Sequence, residues 1–294
     1  MSAPPRDRSP FEPLVRAIES ASIIDKPATL VSRAVRGALS PGKVKDALSG
    51  TWLGHALHPA MTDVVIGSFV SASALDLLAG AEGSVASERL IMLGMAAYLP
   101  TAAAGASDWV DGAVDARVKR VGIVHAAGNS VALALYIASL ISRRRGSRAT
   151  GALLSGLGAG VLMTGGYLGG HLTLRRGIGP DQTVFDPGPD EWQAATGADQ
   201  LEPGKPLRVI VEETPVLLLD TGDTIYAIHD RCSHRGCPLS DGEVEGHEIV
   251  CACHSSRFDL RDGSVVGGPA TAPQPAFDAR RQDGVVEVRL RPAG

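Results

Sequence analysis

Residues 232–270 read CSHRGCPLSDGEVEGHEIVCACHSSRFDLRDGSVVGGPA. Two short segments in this stretch each carry one thiol and one imidazole: Cys232-Ser-His234 and Cys251-Ala-Cys-His254. Two cysteines and two histidines form a metal-ligand set. A zinc finger places its cysteines together and its histidines together on a helix. Here each loop mixes the two types and is bounded by Gly and Pro, which points away from a finger. All four cysteines of the chain fall within this stretch, so the cluster of ligand types is not a chance of composition.

The stretch resembles the two cluster loops and the following proline loop (Gly267-Gly268-Pro269) of the Rieske [2Fe–2S] family, and the resemblance extends over about residues 182–291. It implies an all-β domain in which Cys232 and Cys251 hold one iron and His234 and His254 hold the other. Two neutral imidazoles in place of two thiolates raise such a centre to about −150 to +300 mV, and the implied role is one-electron transfer. Cys237 and Cys253 match the pair that forms a disulfide between the loops in Rieske proteins of cytochrome bc complexes. Ser256 matches a serine bonded to a bridging sulfide, and Pro269 belongs to the loop that covers the cluster. Phe258 stands where that subgroup has a tyrosine donating to a ligand sulfur, so a lower potential is expected here. The chain ends at Gly294, so an oxygenase domain with a 2-His-1-carboxylate iron is not expected. GLGAG at 156–160 has glycines but no acidic partner placed for a ribose, which excludes a dinucleotide site.

The 294 residues carry a net charge of −4 and suggest two domains. The charge is unevenly spread. Residues 1–179 hold 18 Lys/Arg and 12 Asp/Glu, residues 180–294 hold 10 and 20. The basic half also holds the long apolar runs, as suits contact with anionic lipid. The acidic half suits a redox partner protein with a basic docking surface. Nothing points to nucleic acid.

Four apolar segments, near 59–80, 88–107, 121–142 and 149–172, reach the about 17–25 residues that cross a bilayer. In the last, Gly156/Gly160, Gly165/Gly169 and Gly166/Gly170 repeat at a spacing that lets helix backbones approach. The expected fold is therefore multidomain: an all-α four-helix transmembrane bundle followed by an all-β Rieske domain. Its divisions are a tail at 1–54, a membrane domain at 55–175 and the Rieske domain at 182–294. Residues 28–39 form an amphipathic helix, lying either in the lipid interface or on protein. Residues 1–27 are Pro- and charge-rich, read as a mobile tail with no signal peptide.

His55, His58, His125 and His171 lie at the start of helix one, the start of helix three and the end of helix four. Alternating helices bring those ends to one membrane face, with Asp108, Asp111, Asn129 and Tyr167 nearby. Such a layer fits haem b on two histidines, a quinone or a metal. His55-Ala-Leu-His58-Pro59 resembles the entry to the first of four helices in an uncharacterised bacterial membrane family. That implies an integral protein of the bacterial plasma membrane. An even helix count places the Rieske domain on the side of the histidines. A tail of 8 Lys/Arg without a signal favours the cytoplasm, whereas the basic loop Arg143–Arg148 and a disulfide favour the opposite side. The balance tips slightly to the cytoplasm. Three roles follow: an electron carrier between a membrane redox partner (quinol or haem) and another acceptor, a quinol-oxidising subunit, or a redox sensor.

Overall fold

The computed structural model describes residues 11–292, in two compact units. The first unit comprises the described residues up to Leu39 and residues Leu57–Ile178; the second comprises Ser40–Ala56 and Gly179 onward. The sequence grouping placed 40–54 with the tail, whereas these residues pack with the β-rich body.

In the first unit, α1 (Glu12–Ser20) and α2 (Asp25–Ala38) precede four long helices. These are α4 (Leu57–Leu78), α5 (Ser84–Gly112), α6 (Ala116–Arg144) and α7 (Arg148–Leu174). Among the described residues these four are long and apolar enough to cross a membrane. Only 22–33% of their apolar windows is buried, so most of the apolar surface faces outward. That is the distribution expected where lipid is the solvent. They run longer than the apolar segments because the polar ends continue the helices. Asp115, for example, caps α6 by accepting from Arg117 N–H at 2.7 Å.

Residues 11–27 are ordered instead of forming a mobile tail; residues 1–10 lie outside the described part. Glu12 pairs with Arg175 at 2.6 Å, Glu19 holds His171 at 2.9 Å and Arg176 beside it, and Phe11 packs on Tyr167. On α2, Asp25 takes a two-pronged bond from Arg120, while Ala28 and Ser32 are buried. The amphipathic helix is thus docked on protein on that face, and Leu30 is exposed on another.

The four long helices form two hairpins that repeat one another's contacts. His58 bonds through Nδ1 to Thr101 O at 2.9 Å and lies over Gly105; His125 bonds through Nδ1 to Gly165 O at 2.8 Å and lies over Gly169. About three turns further on, Phe69 lies over Gly94 and Tyr136 over Gly158, at matching spacings. A Cβ on Gly94 would come within 2.5 Å of the Phe69 ring. Equivalent residues then meet each other: Phe69 stacks on Tyr136 at 4.0 Å, and the His58 and His125 rings are 6.5 Å apart. Matching residues meeting across an axis is the signature of a two-fold relation. Here it relates two parallel repeats within one chain. One pair of equivalent positions has diverged to opposite charge, Asp76 and Arg143. They form a buried ion pair, with Nη1 donating to Oδ1 at 2.8 Å.

The second unit opens with α3 (Lys43–Ser49) and a 3-10 turn over Thr51–Leu53. A six-stranded antiparallel sheet follows, ordered β1 (Gln193–Gly197), β10 (Val285–Leu290), β9 (Ala276–Gln282), β4 (Ile225–His229), β3 (Thr214–Asp220), β2 (Leu207–Val211). A smaller sheet runs β5 (Glu243–Glu245), β6 (Glu248–Val250), β7 (Arg257–Asp259), β8 (Val265–Gly267). Leu217, Leu219, Ile228, Leu239, Ile249, Phe258 and Leu260 form a core shared by the two sheets, and Cys232 and Cys251 are buried in it.

Removing one partner of the Asp76–Arg143 pair leaves a buried charge, at a cost of about 3–5 kcal/mol. Asp76→Asn or Arg143→Met should each lower the thermal stability of the membrane unit in detergent. The exchange Asp76→Arg with Arg143→Asp should recover most of the loss, because the two positions are equivalent. Additive losses in the double variant would contradict the two-fold relation.

Candidate metal centre

The cluster-type residues sit on two loops of one design. The first follows β4, the second joins β6 to β7. In each, the leading cysteine's N–H donates five residues ahead: Cys232 to Cys237 O and Cys251 to Ser256 O, both 2.8 Å. In each, the cysteine's C=O accepts from four residues ahead, Gly236 N–H at 2.7 Å and Ser255 N–H at 3.0 Å. Those fourth positions need a left-handed backbone, φ 73° at Gly236 and 62° at Ser255. Glycine adopts it freely, and serine adopts it at a cost of order 1–3 kcal/mol. Cys237 and Cys253 are joined by a disulfide that ties the loops together.

Both loops bring their donors to one place. The Cys232 and Cys251 thiols are hydrogen-bonded to each other, and the His234 and His254 rings meet edge-to-face at 5.1 Å. The bond from Cys232 holds Cys251 below the ordinary thiol range, while Cys232 is raised by that same bond and by burial. Burial, then the charges of Arg235, His254 and Lys45, push His234 well below the ordinary imidazole range. Its neutral form, the one that ligates metal, is thereby favoured.

The spread of the donors separates one ion from two. Ligands of a single zinc ion sit about 2.0–2.3 Å from it, and hence within roughly 4 Å of one another. Among the described residues, the metal-capable groups whose ligand atoms lie within 4.8 Å of one another are Cys237, Cys251 and Cys253, of which two are disulfide-bonded. Cys232, His234, Cys251 and His254 are more widely spread, which fits two metals bridged by inorganic sulfide.

Ser256 and Phe258 are fully buried beside the loops. Ser256 Oγ accepts from Ala270 N–H at 3.2 Å, which leaves its O–H proton to donate. Pro269 lies between Gly268 and Ala270 in the segment after β8.

The four histidines of the membrane half do not form one layer. His58 and His125 come together. His125 Nε2 also takes a bond from Asn129 Nδ2 at 3.0 Å. His171 is committed to Glu19, and Tyr167 packs on Phe11. His55 is exposed and belongs to the second unit. Asp108 and Asp111 fall inside α5, not after it. The two-fold relation that selects His58 and His125 went unread in the sequence. Its trace is the like spacing of His, aromatic and Gly residues in the two halves.

Comparison with known proteins agrees with this geometry. Residues 191–278 match the Rieske [2Fe-2S] domain, and residues 54–182 match DUF2231, described as a predicted membrane protein. The anthranilate 1,2-dioxygenase ferredoxin subunit of Burkholderia cepacia is 32% identical over 100 residues, covering 34% of this chain and 93% of that protein. Ferredoxin CarAc of Metapseudomonas resinovorans is 32% identical over 98 residues, covering 33% and 92%. Among solved structures, the ferredoxin of carbazole 1,9a-dioxygenase from Nocardioides aromaticivorans IC177 is 32% identical, covering 33% of this chain and 96% of that one, with a TM-score of 0.32. The chain belongs to the Rieske [2Fe–2S] family through its β-rich domain, and it joins that domain to a DUF2231 membrane domain.

Replacing Cys237 and Cys253 together by Ser should leave a cluster that is lost faster on warming, because a tie between loops contributes typically about 2–4 kcal/mol. Resistance of both positions to alkylation in native protein supports the bond and an oxidising surrounding. Free alkylation with the cluster intact contradicts the bond and supports the cytoplasmic side. Phe258→Tyr should raise the midpoint potential by adding a donor to a ligand sulfur, and Ser256→Ala should lower it. Opposite shifts in a redox titration would contradict these roles.

Proposed function

We propose that this chain is a membrane-bound Rieske electron-transfer protein, passing single electrons between a redox group at the His58–His125 pair and a partner protein that docks on the acidic β-rich body. The observation that carries the reading is the two-loop geometry: paired Cys232 and Cys251 thiols, with His234 and His254 side by side at 5.1 Å. In this reading the two cysteines hold one iron and the two histidines the other. When bound, the cluster stores and releases one electron. The loops keep its ligands fixed, and Ser256 and Phe258 set the hydrogen bonding around it. That the two relatives above are named as ferredoxins, one of them a dioxygenase subunit, supports a carrier over a sensor. The body's acidic excess favours a basic partner surface.

Both imidazoles of the membrane pair spend Nδ1–H on a backbone carbonyl, which leaves each Nε2 as an acceptor. With their Nε2 atoms free to ligate and the rings 6.5 Å apart, His58 and His125 would be the residues to hold a haem iron, which would supply one-electron chemistry.

Full-length protein purified without air should give one Rieske-type EPR signal per chain and, with haem supplied, a low-spin b-type spectrum. His58→Ala and His125→Ala should each abolish the pigment and spare the cluster, whereas His55→Ala and His171→Ala should spare both. Stoichiometric zinc without iron would overturn the cluster reading. A full cluster with no pigment under any haem supply would overturn the membrane redox group.

A further inference from the structure

Residues 40–56 lie outside the stretch that matches the Rieske domain, yet they pack with it. Their contacts converge on one residue of the segment after β8. The Asp46 carboxylate accepts from Gly268 N–H at 3.1 Å, and Thr51 Oγ1 donates to Gly268 O at 2.5 Å. Both backbone polar groups of Gly268 are thereby held by this segment. Gly268 in turn is pressed onto the second cluster loop. Its φ is 83°, and a Cβ there would come 2.4 Å from Ser255 O and 2.6 Å from Ser256 Cα. Two residues on, Ala270 N–H donates to Ser256 Oγ. A chain of contacts therefore runs from α3 through Gly268 to the loop that carries Cys251 and His254.

Next to Asp46, Lys45 is only 5% exposed. Lysine is seldom buried, because taking an ammonium out of water is costly unless the site compensates. One short helix thus holds the segment after β8 through Asp46 and buries Lys45 next to it in the chain.

We propose that residues 40–56 form a strap that completes the cluster end of the Rieske body, with Asp46 and Thr51 as positioning residues for the loop around Gly268. The proposal rests on the reading of Cys232, His234, Cys251 and His254 as ligands. The strap precedes α4 directly, so the segment that enters the membrane unit is the one that shapes the cluster environment.

The test is a redox titration of full-length protein, followed by EPR. Asp46→Asn with Thr51→Val should still assemble the cluster, with a midpoint shifted from the parent's, and should lose it several-fold faster on warming. An unchanged midpoint with the cluster full overturns the positioning role of Asp46 and Thr51. Unchanged cluster retention in the double variant overturns the strap. Absence of a Rieske signal in the parent protein overturns the ligand reading instead, so the failures are distinguishable.

Discussion

A cluster divided between two loops functions only if the loops are fixed relative to each other, and this requirement shapes the whole β-rich unit. Each loop is closed internally by the same two backbone bonds. A disulfide between Cys237 and Cys253 then spans them. Cys232, Cys251 and Phe258 are buried in one packed core, where side-chain positions are set by volume instead of by long flexible stems. From the side, Gly268 wedges against Ser255 and Ser256, and only glycine fits that approach. Rigid ligands also keep reorganisation small when an electron is gained or lost, so the fold and the function make the same demand.

The membrane unit meets a different constraint. Without water to drive helices together, association depends on close packing and on polar pairs hidden from lipid. Glycines supply the close packing: His58, Phe69, His125 and Tyr136 each lie over a glycine of the partner helix in their hairpin. The polar pair is Asp76–Arg143, where the two repeats differ in charge. A symmetric pair of identical hairpins would place like charges at this contact. Joining the repeats in one chain lets the positions diverge, while His58 and His125 have stayed alike.

Much of this was legible in the sequence. Four Cys and His positions mixed between two Gly/Pro-bounded loops, with two further cysteines, are a local pattern, and local patterns survive without a structure. The four apolar segments were legible for the same reason, being set by bilayer thickness. Two things were not. Residues 40–54 read as tail because nothing in their composition announces Gly268, more than two hundred residues away, as their partner. The histidine layer read as four because helix direction fixes which ends share a face, but not the rotation of each helix. Rotation is decided by which glycine receives which ring, and that pairs His58 with His125 while Glu19 takes His171. The repeat is visible only once the contacts are known.

The central claim is mixed ligation of one two-iron centre by Cys232, Cys251, His234 and His254. Pulsed EPR on the reduced full-length protein, with histidine nitrogen labelled as nitrogen-15, reads the ligands directly. The account predicts coupling of the cluster to two histidine nitrogens, with one lost in His234→Cys. Coupling to one nitrogen or to none would contradict it.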